Sequence, residues 1–466
     1  MTLKKLPFAK HVITTLILAI VTVPVSAQYL RTSYFMENSA DRIQLNPALQ
    51  PTRGYVKIPV IGAINASANS NSLGTQDIID VIDSDGDFYN NDKFFNRLSS
   101  DNRLNVNLTS DIISFGFYKG AGFWSANIGL RTDINASIPK SLFNYLRATD
   151  NFDESMLGNT FDIRNERLNI NAYTEIGVGY SRPVNEKLTL GGKVKMLVGL
   201  GNLDMSVQQL SVTENGTESI IKSRGSLKTS FHGLGLETSE GFDGKEYIDD
   251  IDFDDFGVAG YGAAIDLGAT YQLLDNLTLS AAVLDLGFIS WSKDATSIAS
   301  TNSDRTISYD NYYDPDFGPS YPDYEPYYET ASNGDVLDFE LLGFEVGNQK
   351  SRTTSLASTL VLGGEYAFLN KSLGIGVLST TRFNKIKTIS ELTFSANYRP
   401  KSWFNTTLSY SVIQSCMKSF GLAVKLGPLM LGTDYMYFGS NTKNVNGYLG
   451  LSIPLGKAKN KNTQLL

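Results

Sequence analysis

The chain has 466 residues, 42% of them apolar and 11% aromatic, with 24 Tyr, 25 Phe and 41 Gly, and it carries 48 acidic against 40 basic residues. That length can bury a core without covalent staples, as it must, since the single cysteine, Cys416, has no internal partner. The acidic balance excludes nucleic acid as a natural partner, and one Cys with two His cannot furnish a zinc ligand set.

Lys4, Lys5 and Lys10 precede an apolar run from Val12 to Val23, followed by the small-residue pattern Val25, Ser26, Ala27. This predicts an export signal over residues 1–27, cut after Ala27, because a run of about a dozen apolar residues falls short of the roughly 20 that span a bilayer. Its removal leaves 37 basic against 48 acidic residues. No later apolar run approaches a spanning helix. An exported, helix-poor chain rich in Tyr, Gly, Asn, Ser and Thr has the composition of an outer-membrane β-barrel, the competing reading being a secreted sandwich or solenoid.

Residues 28–53, with "DRIQLNPALQPTRGY" running to Tyr55, have two prolines and neither strand nor helix period. A free tail gains little from such stiffness, so the segment is expected to fold back as a plug in the lumen. Ile43, Leu45 and Leu49 would supply apolar contacts, Arg42 and Arg53 would meet lumen carboxylates such as Glu365 or Asp434, and Asn46 would bond backbone where Pro47 forbids pairing.

From Gly54 onward about fourteen strands are expected, beginning near residues 54, 103, 121, 168, 187, 258, 276, 352, 371, 387, 403, 417, 429 and 444. Alternation is clear in "FNTTLSYSV", where Phe404, Thr406, Leu408, Tyr410 and Val412 oppose Asn405, Thr407, Ser409 and Ser411. In "LMLGTDYMYF" the same period puts Leu429, Leu431, Thr433, Tyr435 and Tyr437 on the outer face. A change of phase near Ser110 and Asp111 predicts a β-bulge. Long connections (67–102, 139–167, 202–257, 293–350) alternate with tight ones (Lys119–Gly120, "PVNEK", "LLDN"), and the later turns are short. A membrane barrel segregates its loops this way, short turns periplasmic and long loops outside; a sandwich has no reason to.

The outer connections carry several local features. In "DSDGDFYNND" Asp83, Asp85, Asp87 and Asp92 do not meet the spacing of a calcium loop, and "DDIDFDDF" (Asp249 to Phe256) reads as a solvated acidic stretch. Residues 138–152 suit a short amphipathic helix. "LSVTENGTESIIKS" pairs two alternating runs across Asn215 and Gly216, a hairpin signal. A loop with Tyr309, Tyr312, Tyr313, Tyr321, Tyr324, Tyr327 and Tyr328 among Pro315, Pro319, Pro322 and Pro326 offers stiff amphipathic rings for recognition. The barrel is expected to end at about residue 456, leaving 457–466, with Lys457, Lys459 and Lys461, as a periplasmic tail.

The N-terminal lead, the fourteen strands, and "NPA" at Asn46, Pro47 and Ala48 together resemble the long-chain fatty-acid transporter family of outer-membrane barrels, a kinship extending to related barrels that serve type IX secretion. In that transporter family an Asn-Pro-Ala element lies in an N-terminal hatch inside the barrel, and the resemblance implies the same place for this one. The tract "NSADRIQLNPALQPTRGYVKIPVIG" is also similar to the start of an uncharacterised outer-membrane family known only as a domain of unknown function, which implies no activity. The transporter family's ligand-lining residues find no one-to-one match, and nothing past Ala48 is carried over.

The strand phase puts Arg131, Asp133, Glu175, Lys193, Lys195, Asp266, Glu365, Arg382, Glu391, Lys425 and Asp434 toward the lumen. Mixed signs predict ion pairs that knit the barrel or hold the hatch, and they argue against a greasy acyl-chain tunnel. The expected fold is thus an all-β, transmembrane antiparallel barrel of about fourteen strands with a plug and long outer loops, in the bacterial outer membrane. Its expected partners are outer-membrane lipid and the barrel-assembly machinery. The leading function is passage or capture of a small amphipathic or hydrophobic molecule; the alternative is a surface scaffold or secretion accessory that docks other proteins. His232, the one histidine of the mature chain, has no nucleophile at a recognisable spacing, so neither an enzyme nor a cofactor is expected.

Overall fold

The computed structural model describes residues 31–57, 63–77, 88–150, 158–215, 218–240, 244–308, 339–413, 419–436 and 441–458. The expected leader, residues 28–30, Asp83, Asp85 and Asp87, Gly216, the seven loop tyrosines, Cys416, Lys459 and Lys461 lie outside the described residues.

Fourteen antiparallel strands form the wall: β1 (Gly54–Lys57 and Ala63–Ser70), β2 (Asp101–Lys119), β3 (Gly122–Pro139), β4 (Glu166–Pro183), β5 (Leu188–Glu214), β6 (Gly260–Leu274) and β7 (Leu277–Trp291). They continue with β8 (Arg352–Ser355 and Thr359–Phe368), β9 (Leu373–Arg382), β10 (Ile389–Lys401), β11 (Phe404–Ile413), β12 (Ser419–Leu426), β13 (Leu429–Thr433) and β14 (Asn444–Leu455). Each begins within two residues of the start expected from alternation. Each pairs with its neighbours in sequence, and β1 pairs with β14 from Gly54↔Leu455 to Asn69↔Asn444, so the sheet closes without an edge.

Alternation built this wall. Outward side chains stay exposed (Val178, Val194, Leu267, Ile375, Leu408), while their neighbours inside are buried (Glu175, Lys195, Asp266, Asn397, Ser409). Aromatics gather at two heights on the outer face. Trp124 and Tyr180, with ring centroids 4.7 Å apart, and Tyr366 and Phe368, 4.6 Å apart, ring the end with the short turns. Tyr261, Phe288 and the Tyr410–Phe420 pair mark the other end. Tyr261 and Tyr271 bracket the band on β6, and at ~3.3 Å per residue with a tilt near 40° their separation is about 25 Å, the height of a lipid-facing band. The short turns need tight reversal, which Gly120 at φ +61° and Gly427 at φ +59° supply. A register shift between Asp111 and Ile113 is the bulge that the phase change on β2 predicts.

The expected long loop over 202–257 is corrected: β5 continues as strand to Glu214 and pairs there with Glu218–Phe231, across the hairpin read around Asn215, and Leu234–Glu240 pairs with Glu246–Phe253, which puts most of the acidic stretch on a strand. Thr296–Ser308 adds to the first hairpin, and Thr160–Ile163 to the β5 extension. The helix Lys140–Asp150 lays Leu142, Phe143, Tyr145 and Leu146 against this outer sheet. Together with Phe94, Met205, Val212, Ile221, Ile248 and Phe344 they form a core beyond the membrane band, so the outer connections are a folded cap.

A second correction concerns Tyr435. The regular ladder ends at Thr433, where Asp434 turns inward to accept from the amides of Arg31 and Thr32, and the register slips, the Met436 amide still donating to the Phe420 carbonyl on β12 at 2.6 Å. Tyr435 is therefore buried inside, its hydroxyl donating to Glu391 at 2.8 Å, and Tyr437 lies outside the described residues.

Closure predicts heat-modifiable gel migration: the protein runs compact in detergent until boiled, because no edge offers a place to begin unzipping. A single band position before and after boiling would contradict it. The two loop ends predict that an epitope tag beside Asn215 is labelled on intact cells and one at Asn370 only after permeabilisation. Reversed labelling would invert the orientation.

Candidate functional site

Residues 31–53 run inside the barrel and join no strand ladder; pairing starts at Gly54. Pro47 and Pro51 deny the segment a strand's donors, and it folds as short 3-10 turns, Arg31–Ser33 and Asp41–Gln44. Tyr34, Phe35, Met36, Leu45 and Leu49 pack on lumen-facing Leu284, Val361, Leu378 and Met430.

Asn46 is fully buried. Its Nδ2 donates to the carbonyls of Ala269 (3.3 Å) and Ala281 (3.2 Å), and its Oδ1 accepts from the amide of Ala48 at 2.9 Å. The wall opposite is shaped for this contact: a Cβ on Gly268 would strike the Asn46 side chain, and one on Gly191 would strike the backbone of Pro47 and Ala48. The signal for the docking face was present in sequence as glycines in otherwise well-patterned strands.

The lumen charges assemble into four groups. The largest starts on the inner segment: Lys57 Nζ lies 2.8 Å from Asp41 and 2.9 Å from Asp111, and Arg131 reaches Asp111 at 3.0 Å and Glu175 at 3.4 Å. Glu175 also takes Lys193 at 2.5 Å and Lys195 at 3.6 Å, and Lys195 takes Asp266 at 2.8 Å and Asp285 at 2.6 Å. Alternating charge thus runs unbroken from the segment across β1 to β7. Asp285 enters through a bulge, at φ +59°, with its amide donating to Asp266 Oδ1 at 2.8 Å. Asp133 and Arg382 pair across the lumen at 2.5 Å. Glu365 accepts both terminal nitrogens of Arg399 (2.7 and 3.0 Å), and Arg399 also donates to the Phe35 carbonyl at 2.9 Å. Glu391 pairs with Arg31, and Asp434 accepts from the amides of Arg31 (3.1 Å) and Thr32 (2.9 Å). Lys425 stands apart at the inner rim, donating to the Gly427 carbonyl at 2.6 Å.

The expected partners of Arg42 and Arg53 are therefore corrected in part. Glu365 takes its hydrogen bonds from Arg399 but also attracts the buried Arg42, as expected, together with Glu37; Asp434 goes to Arg31, and Arg53 lines the inner mouth with Lys425 and Trp403. Sequence reading missed Arg31, Asp41, Lys57, Asp111, Asp285 and Arg399. Lys57 and Arg399 were legible, since Val56 and Tyr398 beside them point outward; Asp111 and Asp285 sit at bulges, where alternation loses its phase.

Between the inner segment and the wall lies a narrow crevice with room for about one water molecule. Ile43, Pro47, Tyr55, Phe123 and Ala126 give it apolar surface, and Gln44, Asn127 and Lys193 give it polar groups. Outside the membrane band, Asp249, Asp252, Asp254 and Asp255 are exposed, and no group of three or more potential metal ligands occurs among the described residues. His232 sits exposed in a turn beside Gly257.

Residues 47–434 match the model of a family described as "Family of unknown function (DUF5723)", and the chain belongs to that family. No curated protein matches it. Among solved structures it is similar to the Pseudomonas putida toluene transporter TodX (TM-score 0.37, 8% identity, covering 92% of this chain and 93% of that one). It is similar also to the CymD monoaromatic hydrocarbon channel (TM-score 0.42, 9% identity, 91% and 94%) and to the translocator domain of the autotransporter NalP from Neisseria meningitidis (TM-score 0.34, 8% identity, 87% and 90%).

Proposed function

We propose that this family member is a bacterial outer-membrane barrel, exported by a leader cut after Ala27, through which a small amphipathic molecule passes or is captured, with residues 28–53 as a hatch. One observation carries the reading: the segment inside the lumen is held by side-chain latches and apolar contacts, with no ladder pairing. Such a segment can shift while the hydrogen-bonded wall stays intact. A shift of the segment would widen the narrow crevice beside it, whose mixed lining suits a solute with one apolar and one polar part. The test is uptake of radiolabelled octanoate, with glycerol as the polar control, by cells with and without the protein. Faster octanoate entry, with glycerol unchanged, is expected; equal uptake of both probes in the two strains contradicts the reading.

The folded cap favours a second reading, a scaffold that docks a surface protein, since a core outside the membrane can present a fixed surface. Deleting 309–328 would then abolish capture of a partner in a pull-down and leave octanoate uptake untouched. Loss of uptake with unchanged partners favours passage.

A further inference from the structure

We propose that the inner mouth holds a binding site for a compact organic anion, a carboxylate on a flat apolar body, between the end of the inner segment and the foot of the wall. The proposal goes beyond the passage reading: the cavity opens at the short-turn end and can fill with the hatch seated, so binding does not depend on a solute crossing.

A cavity of about 130 Å³ opens at this mouth. An engineered cavity of ~150 Å³ takes a benzene ring, so the space suits a ring-sized body and not an extended chain. Its walls belong to two parts of the molecule. Pro51, Thr52 and Arg53 close the inner segment just before β1, whereas Lys425 stands near the end of β12, Pro428 in the turn that follows, and Ser452 and Pro454 on β14. Strand phase turns the cavity toward the lumen and away from lipid, since Leu426, Ile453 and Leu455, the neighbours of Lys425, Ser452 and Pro454, are the exposed outward residues.

Charge decides what the cavity takes. Arg53 and Lys425 both line it, and no carboxylate among the described residues does. Among those residues no carboxylate pairs with Arg53, and no acceptor takes its guanidinium. Lys425 uses one of its three donors on the Gly427 carbonyl, at 2.6 Å. Asp41 attracts Lys425 while Arg53 repels it, but Asp41 is already bonded to Lys57 at 2.8 Å and to Ser39 at 3.0 Å. Lys401 Nζ, 6.0 Å from the Trp403 ring centroid, adds a third positive charge at the rim. Like charges gathered around an open space without a counter-ion favour an anion there. The rest of the lining narrows the choice. Pro51, Tyr55, Trp403, Pro428 and Pro454 offer apolar faces that inorganic phosphate would leave wet, and the hydroxyls of Ser402 and Ser452 can donate to a carboxylate. Because Arg53 belongs to the inner segment and Lys425 to the wall, an anion that bonds both stabilises the seated segment.

The test titrates benzoate into the full-length protein in a calorimeter, in a phosphate-free zwitterionic detergent, with benzamide as the uncharged isostere and inorganic phosphate as the bare anion. Saturable benzoate heat is expected, with both controls weaker by about tenfold or more. Arg53→Gln and Lys425→Met should each weaken benzoate by about tenfold, the loss of one charge-assisted bond. Heat-modifiable migration verifies that each variant is folded; Arg53→Gln, which breaks no bond among the described residues, serves if Lys425→Met disturbs its turn. Binding is read at equilibrium, so it succeeds or fails independently of octanoate uptake. Absence of saturable heat, benzamide binding as tightly as benzoate, or equal binding by wild type and variants overturns the proposal. Phosphate binding as tightly as benzoate overturns it too, since the apolar faces would then contribute nothing.

Discussion

Deleting residues 28–53 behind an intact leader yields a barrel that still migrates heat-modifiably and conducts far better in planar bilayers than the full-length protein. The expectation follows from how little of the wall depends on the segment. Every strand of the barrel pairs with another strand, β1 begins at Gly54, and the deletion breaks no ladder bond. What it removes is the apolar filling of Tyr34, Phe35, Met36, Leu45 and Leu49 and the ions Arg31 and Asp41. Barrels only slightly wider, with about 16 strands, leave an aqueous channel when unplugged, so a conductance gain on the order of tenfold is reasonable, with greater uptake of bulky antibiotics by cells. Gly268→Leu should act as a partial deletion. Its side chain occupies the space of the Asn46 amide, so the Asn-Pro-Ala element is displaced while the latches at Asp434 and Arg399 remain. Replacing Asn46, Pro47 and Ala48 should give a leak of similar, intermediate size. If the truncated protein assembles and conducts no better than the full chain, the segment is no plug.

The barrel was legible because membrane strands obey one rule, apolar out and polar in, and the rule survives in β4 to β12 with few interruptions. Its failures have a physical pattern. The bulge at Asp111 could be seen as a phase change, but at Asp285 the small residues Ala281, Ala282 and Val283 blur the point where the outward face switches from Leu279 to Leu286 and Phe288. The end of β13 was misread for a different reason: Tyr435 continues the alternation in sequence, and only bonds between Asp434 and the backbone of Arg31 and Thr32, some 400 residues away in the chain, pull it inward. The cap was invisible as a domain. Its first strand continues β5, so the alternation there looks the same, and only non-local pairings such as Glu218–Phe231 with Thr296–Ser308 bring its strands together over a core of their own. The bonds that hold the inner segment are non-local by nature. Sequence named the right kind of residue, arginine and carboxylate, while Arg31 rather than Arg42 or Arg53 proved to reach Asp434.

Lys57→Met should unseat the hatch more severely than any other single exchange of a wall residue. Lys57 is 1% exposed and is the cation between Asp41 on the hatch and Asp111 on β2. Methionine matches its length and leaves both carboxylates behind, but the two are not stranded equally. Asp111 keeps Arg131 at 3.0 Å, whereas Asp41 keeps only the hydroxyl of Ser39, also at 3.0 Å. The uncompensated charge therefore sits on the movable partner. Removing one member of a buried pair typically costs about 3–5 kcal/mol, and the hatch can relieve that cost by lifting Asp41 toward water, which the wall cannot do. The expected result is raised conductance with an almost unchanged temperature of the heat-modifiable transition. Asp41→Asn in the same chain removes the stranded charge, and the double variant should recover most of the closed state. Were the double variant to leak as much as Lys57→Met alone, the lesion would lie in β1 rather than in the hatch. A Lys57→Met protein that conducts like wild type would mean that the Lys57–Asp41 bridge does not hold the hatch at all.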